Sequence, residues 1–201
     1  MCGIFSYIGE KKATTLVLSG LALLEYRGYD SAGIALLENG ALEVIKAKGK
    51  LNQLAQKLQD NDLKATIAIG HTRWATHGEP SEINAHPHID CKGQIAVVHN
   101  GIIENYQALK TLLEKEGHKF VSQTDTEVIA HLIEKFDDGD FEKAVASALA
   151  LLEGAWGLAI IKQGEDKIIG AKKGSPLILG IGDNEFFLAS DVAAVVERTK
   201  K

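Results

Sequence analysis

Hydrophobic positions in this chain follow two spacings. Four short runs, at 67–70, 95–98, 158–161 and 177–181, are apolar on consecutive residues. They read as strands covered on both faces. The apolar, β-prone segment 2–8 reads as a buried first strand. Residues 32–48 read as a hairpin, with Asn39-Gly40 supplying a positive-φ turn. Elsewhere apolar residues recur every three or four positions. Leu16, Val17, Leu21 and Leu24 predict a helix over 13–25, leaving at Arg27-Gly28. Further helices are predicted over 51–59, 105–116, from 124 onward and over 140–152. The helix from Thr124 has Glu127 three residues in, a capping-box pattern, and would bury Val128, Ile129, Leu132, Ile133 and Phe136. A long polar loop separates the strand at 66–71 from the one at 94–99. The tail alternates turns with apolar strands at 155–161, 167–173, 176–182 and 185–191.

Strands at both ends with helices between them predict two packed sheets with helices outside, a layered α/β or α+β sandwich. With no Pro/Gly/Ser-rich linker, low-complexity segment or solenoid-period repeat, residues 1–201 read as one domain.

Composition narrows the partners. The 22 Lys+Arg against 27 Asp+Glu leave a formal charge of −5, which offers no electrostatic footprint for nucleic acid or an anionic membrane. A small anionic or zwitterionic ligand remains compatible. No stretch approaches the ~18–20 apolar residues of a membrane span, and the opening residues lack the basic and apolar regions of a secretory signal. Two cysteines make no disulfide framework, so a reducing cytoplasm is the expected compartment. Cys91 reads as a plain thiol beside a loop.

Cys2 is distinguished by position. A small residue after the initiator Met permits removal of that Met, which bares an α-amine of reference pKa near ~8. Such an amine can serve as general base for the thiol of its own residue. Gly3 leaves room beside the nucleophile for a substrate carbonyl. The loop at 72–79 gathers a guanidinium, an indole, two hydroxyls and an imidazole, and Arg73 suits bidentate capture of a carboxylate. At His99-Asn100-Gly101, an Asn amide and a following Gly N–H are the donors an oxyanion hole needs. Asp125 can hold an ammonium group. Each has a plainer alternative: a buried strand start, a solvated loop, an Asn-Gly turn, a carboxylate complementing a helix dipole.

Five of the seven histidines, 71, 77, 86, 88 and 99, fall close together, which raises a zinc site. His86-x-His88 has ligand-like spacing. No CxxC, HExxH or supporting carboxylate accompanies it, so no metal is assigned. His71 and His99, ending apolar strands, read as hydrogen-bonded structural groups.

Six segments then occur in register: Cys2-Gly3-Ile4-Phe5, Tyr26 to Gly33, His71 to Gly78, Asn84 to His88, His99 to Asn105 and Thr124 to Glu127. In order and wording the chain resembles the class II, or N-terminal-nucleophile, glutamine amidotransferases. The RWATHG and NGIIEN segments are similar to the glutaminase domain of glutamine–fructose-6-phosphate aminotransferases. The resemblance implies an α+β fold, a four-layer αββα sandwich of two mainly antiparallel sheets with helices outside. It implies Cys2 as nucleophile with its α-amine as base, and Asn100 Nδ2 with the Gly101 N–H as oxyanion hole. Arg73 would bind the glutamine carboxylate, assisted by Thr76 and His77 in a closing loop. Asp125 and the Gly101 backbone would bind the ammonium, Trp74 would gate ammonia passage, and Arg27 would pack near the nucleophile.

The expected reaction is hydrolysis of L-glutamine to L-glutamate and ammonia, without metal or organic cofactor. A chain keeping Met1 is expected to be inactive, because an amide nitrogen at Cys2 is no base. The chain lacks the sugar isomerase domains of the resembled enzymes, so it reads as their truncated glutaminase part or as a small stand-alone protein. Fructose 6-phosphate would be reached only through those domains, and a homodimer is compatible with a full-length protein. The alternatives are the glutaminase part of another amidotransferase, such as an amidophosphoribosyltransferase, and a glutamine-binding module without turnover.

Overall fold

The structure, a computed structural model, describes residues 2–59, 63–75 and 78–201. Among these, ten strands form two sheets. The first contains β1 (Gly3–Ile8), β2 (Ser31–Glu38), β3 (Ala41–Lys48), β4 (Ile67–Arg73), β9 (Ile178–Ile181) and β10 (Phe186–Ala189), in the order β3-β2-β4-β1-β10-β9. The second runs β5 (His88–Ile89), β6 (Ile95–Ile103), β7 (Gly154–Lys162), β8 (Ile169–Lys173). Neighbouring strands in both sheets pair antiparallel. The helices are α1 (Ala13–Ala22), α2 (Leu51–Gln59), α3 (Tyr106–Lys115), α4 (Glu127–Phe136) and α5 (Phe141–Leu149).

The continuous apolar runs divide by strand alternation into three cores. Ile4, Ala35, Ile69, Ala96, Val98, Ala159 and Ile161 meet between the sheets. Phe5, Tyr7, Ile34 and Leu36 face the other way, against Val17 and Leu21 of α1 and Leu54 of α2. Ile95, Val97, Leu158 and Ile160 pack on Leu113 of α3, Ile129 and Leu132 of α4 and Val145 of α5. The layers are therefore helix, sheet, sheet, helix, an α+β sandwich as expected. Strands covered on both faces need apolar residues at every position, and in β4, β6 and β7 this demand produced the unbroken runs. The run at 177–181 does not fit, because β9 leaves Leu179 and Ile181 exposed. Each large aliphatic residue buried here contributes roughly 1.5–3 kcal/mol.

Asn39 and Gly40 take φ of 52° and 78°, as the hairpin turn required. Four expectations shift. The helix from 13 ends at Ala22, and a 3₁₀ turn, Glu25–Arg27, follows it. β6 continues through Asn100-Gly101 to Ile103, so this pair lies within a strand and the Asn-Gly turn alternative falls away. α4 starts at Glu127 rather than Thr124. The Glu127 carboxylate does reach back, but to the Val121 and Ser122 N–H groups, while Thr124 Oγ1 bonds His88. Gly3 spares packing space rather than substrate space: a Cβ there would stand 2.7 Å from Leu24 Cβ and from Thr72 Oγ1.

Candidate active site

β1 begins with Gly3 opposite Thr72, near the end of β4. Cys2 therefore stands beside Trp74, whose N–H donates to Cys2 Sγ at 3.2 Å. From the second sheet, Asn100 on β6 donates through Nδ2 to the Cys2 carbonyl at 3.0 Å. Burial pushes the Cys2 thiol above its ordinary pKa, with the Trp74 hydrogen bond opposing. The thiol is thus protonated at neutral pH, and attack requires a base.

The orientation of Asn100 is fixed by logic as well as distance. His71 Nε2 lies 3.0 Å from the His99 carbonyl and 3.0 Å from Asn100 Oδ1. A carbonyl only accepts, so Nε2 carries the proton and the Asn100 oxygen must face it. That turns the Asn100 amide nitrogen, a two-proton donor, toward Cys2. Gly101 follows at φ 132°, where a Cβ would approach the Ala155 carbonyl to 2.0 Å. Only glycine fits there.

The surrounding histidines are structural donors and acceptors. His86 stacks on His71 with ring centroids 4.1 Å apart and accepts from the His99 N–H at 3.3 Å. His99 Nδ1 pairs with Thr126 Oγ1 at 2.8 Å, and His88 Nε2 with Thr124 Oγ1 at 3.0 Å. Burial lowers His71 to about 3 and His99 to about 4, and puts His86 and His88 well below their usual range. Groups that stay neutral to such acid pH are poor proton acceptors at pH 7. Among the described residues, His86 and His88 join no cluster of three or more metal-ligating side chains.

The charged residues take defined places. Arg73, buried at the end of β4, donates to the Gly78 and Glu79 carbonyls at 2.8 and 3.4 Å and lies 3.8 Å from Asp30 Oδ1. Asp30 also accepts from the Ala75 N–H, anchoring the chain beyond Trp74. Arg27 is buried and pairs with Asp191 at 2.7 Å. Asp125 accepts from the Ile103 N–H at 2.8 Å. The Trp74 indole is 48% exposed and meets the Tyr29 ring edge-on.

One cavity of about 250 Å³ brings these groups together: Cys2, Arg73, Asn100, Gly101 and Asp125 line it, with Arg27 and Trp74 in its wall. Thr76 and His77 lie outside the described residues. Ser175 and Pro176 of the β8–β9 connection also line it, and nothing in their local sequence set them apart. His71 had a readable signal: it shares a strand face with Arg73, two residues on. A thiol, amide donors, a cation and an anion around a space this small suit a zwitterionic amino acid with a carbonyl at its far end.

Residues 71–197 match the model of a family described as a glutamine amidotransferase domain. The chain is 53% identical, over 201 residues, to the glutamine–fructose-6-phosphate aminotransferase (isomerizing) of Caldanaerobacter subterraneus subsp. tengcongensis. It is 57% identical over 202 residues to the protein of the same name from Aquifex aeolicus. Both alignments cover 100% of this chain but 33% and 34% of those proteins, so the chain spans about a third of their length. Among solved structures, glutamine phosphoribosylpyrophosphate amidotransferase from B. subtilis, complexed with ADP and GMP, superposes with TM-score 0.86 at 31% identity. It covers 98% of this chain and 44% of that one. A glutamine aminotransferase class-II domain protein from Silicibacter pomeroyi, at 14% identity and TM-score 0.66 over 94% of this chain and 88% of that one, shares the fold.

Proposed function

The chain belongs to the glutamine amidotransferase domain family, and on that premise we propose that it hydrolyses L-glutamine to L-glutamate and ammonia through Cys2. The observation that carries this reading is the convergence of Cys2, Asn100, Gly101, Arg73 and Asp125 on one small cavity. Arg73 takes the α-carboxylate and Asp125, with the Gly101 backbone, the α-ammonium, which brings the side-chain amide to the thiol. Once Met1 is removed, the Cys2 α-amine accepts the thiol proton as Sγ bonds the amide carbon. Asn100 Nδ2 and the Gly101 N–H hold the resulting oxyanion. The C–N bond breaks as the amine returns the proton, releasing ammonia. Water then adds to the γ-glutamyl thioester, giving glutamate and restoring the thiol. Thr76 and His77 assist carboxylate binding, Arg27 supports the wall beside the nucleophile, and Trp74 gates ammonia. No metal or organic cofactor enters these steps.

The acceptor in the parent protein is proposed to be fructose 6-phosphate, reached through sugar isomerase domains beyond this chain, in a homodimeric cytoplasmic enzyme. Identity of 53–57% to the fructose-6-phosphate aminotransferases supports this over a phosphoribosyl acceptor. The fold likeness to the phosphoribosylpyrophosphate enzyme, at 31% identity, keeps that acceptor as the second reading. Among the described residues no helix is long and apolar enough to cross a membrane.

The test is glutamate and ammonia formation from L-glutamine by chain with Cys2 bared, beside chain retaining Met1. The bared chain should release the two products in equal amounts, with kcat/KM rising with pH toward the amine pKa near ~8. Glutamine binding without ammonia release would sink the reading.

A further inference from the structure

A second cluster of reactive side chains lies away from the cavity, around α4. Cys91 follows β5, His118 follows α3, and His131 and Glu134 sit one turn apart on α4. Their potential ligand atoms, one from each residue, all lie within 4.8 Å of one another. Cys91 Sγ is 3.5 Å from His131 Nδ1 and 3.8 Å from His118 Nδ1. Glu134 Oε2 is 3.0 Å from His118 Nδ1 and 3.5 Å from His131 Nδ1. A tetrahedral zinc with bonds of ~2.0–2.3 Å needs its ligand atoms roughly 3.3–3.8 Å apart. These four edges are thus at or near the length a bound ion would set.

We propose that Cys91, His118, His131 and Glu134 form a tetrahedral binding site for a thiophilic divalent cation of the zinc type. Three features outside the four ligands support it. The opposite ring nitrogen of His131, Nε2, faces Glu127 Oε1 at 3.5 Å, the carboxylate–histidine arrangement that orients metal-bound imidazoles. Glu127 is itself held by Ser122 and the Val121 and Ser122 N–H groups. The Lys119 N–H donates to Cys91 Sγ at 3.3 Å, which orients the sulfur. Imidazole and thiolate donors exclude magnesium and calcium, whose ligands are oxygen. Cys91 is exposed, which opens an entry path. Lys92, 3.7 Å from Glu134 Oε1, has a largely exposed side chain and can turn to solvent. Four protein ligands close the coordination sphere, so the ion is structural. It ties the β5–β6 connection and the turn after α3 to α4, just beyond Asp125.

The test is a titration of metal-free chain with cobalt(II) and then zinc, followed by absorption spectroscopy. One equivalent of cobalt should bind, with the intense visible bands of a tetrahedral ion and a near-ultraviolet thiolate-to-cobalt transition, and zinc should displace it. Cys91→Ser should abolish that transition and weaken binding at least tenfold, and Glu134→Gln should weaken it while far-ultraviolet dichroism is unchanged. Cys2→Ser should leave all of it intact. Zinc at a hundredfold excess over Kd should raise the melting temperature by about 5–10 °C in the wild-type chain and in Cys2→Ser, and by clearly less in Cys91→Ser. Absence of saturable binding, binding undiminished in Cys91→Ser, or binding lost in Cys2→Ser would each overturn the site. None of these readouts depends on glutamine hydrolysis.

Discussion

Two histidine groups in this chain differ in what surrounds them. His71, His86, His88 and His99 are buried at one end of the sandwich, stacked on each other and on backbone carbonyls and hydroxyls, with Arg73 nearby. Burial keeps them neutral, and a neutral imidazole has one fixed donor and one fixed acceptor. That is a device for holding geometry. His118, after α3, and His131, on α4, face two carboxylates and a thiol instead. That is a device for holding a cation. Neighbours, not the residue type, decide which.

Substitutions and a pH series test this contrast. The largest effect should come from the donor that the first group orients. Asn100→Ala is expected to lower kcat for glutamine hydrolysis about 10²–10³-fold, the range for loss of one oxyanion donor, with KM little changed. A kcat within threefold of wild type would place the developing charge elsewhere.

Removing the positioning residue should cost less. His71→Leu deletes the donor that fixes the Asn100 oxygen and should lower kcat roughly 10–100-fold, as a lost buried hydrogen bond does. His71→Gln places an amide N–H near the Nε2 position and should recover much of that loss. Equal losses in both variants, or a change in KM alone, would make His71 a packing residue only.

Acid should unfold the chain through the same group. The folded pKa values of about 3 for His71 and about 4 for His99 lie below the ordinary 6.5. As pH falls below 6.5, the unfolded chain takes up protons first. The stability is therefore full above that pH and is lost on the way down through 4 toward 3. The slope is about 1.4 kcal/mol per pH unit for each histidine. Glu127, held at about 2 against an ordinary 4.5, adds a loss at lower pH. Thermal melts should show a falling midpoint between pH 6.5 and 4, and a flat profile there would contradict neutral burial.

The smallest expected effect lies in the second group. Cys91→Ser should leave glutamine hydrolysis within about twofold of wild type, because Cys91 lines no part of the cavity. A tenfold loss would show that the two groups are coupled through α4.

Much of the fold was legible because a four-layer sandwich writes itself into sequence: a sheet covered on both sides demands unbroken apolar runs, and helices covering only outer faces keep a three-to-four spacing. What was lost depended on long-range pairing. The two-residue β5 is a strand only because Val97 and Ala96 of β6 stand opposite it. The extension of β6 through Asn100-Gly101 depends on Trp156 and Gly157 of β7, against a local signal that favours a turn. Thr124 forgoes its capping role because His88, 36 residues away, takes its hydroxyl.

The same divide separates the two sites. The cavity residues sit in short segments whose wording is distinctive, so their candidates were readable one by one. The orienting role of His71 was not, since it depends on an oxygen from the other sheet. The cluster of Cys91, His118, His131 and Glu134 comes from three segments, and the i, i+3 pair on α4 is its one local trace.

The most direct test of the account is the position of a covalent label. Chain with Cys2 bared is incubated with a glutamine-mimicking electrophile, and the peptide masses are read. The account predicts one adduct per chain, on Cys2, prevented by excess L-glutamine. An adduct on Cys91, or an unlabelled Cys2 in chain that still binds glutamine, would contradict it.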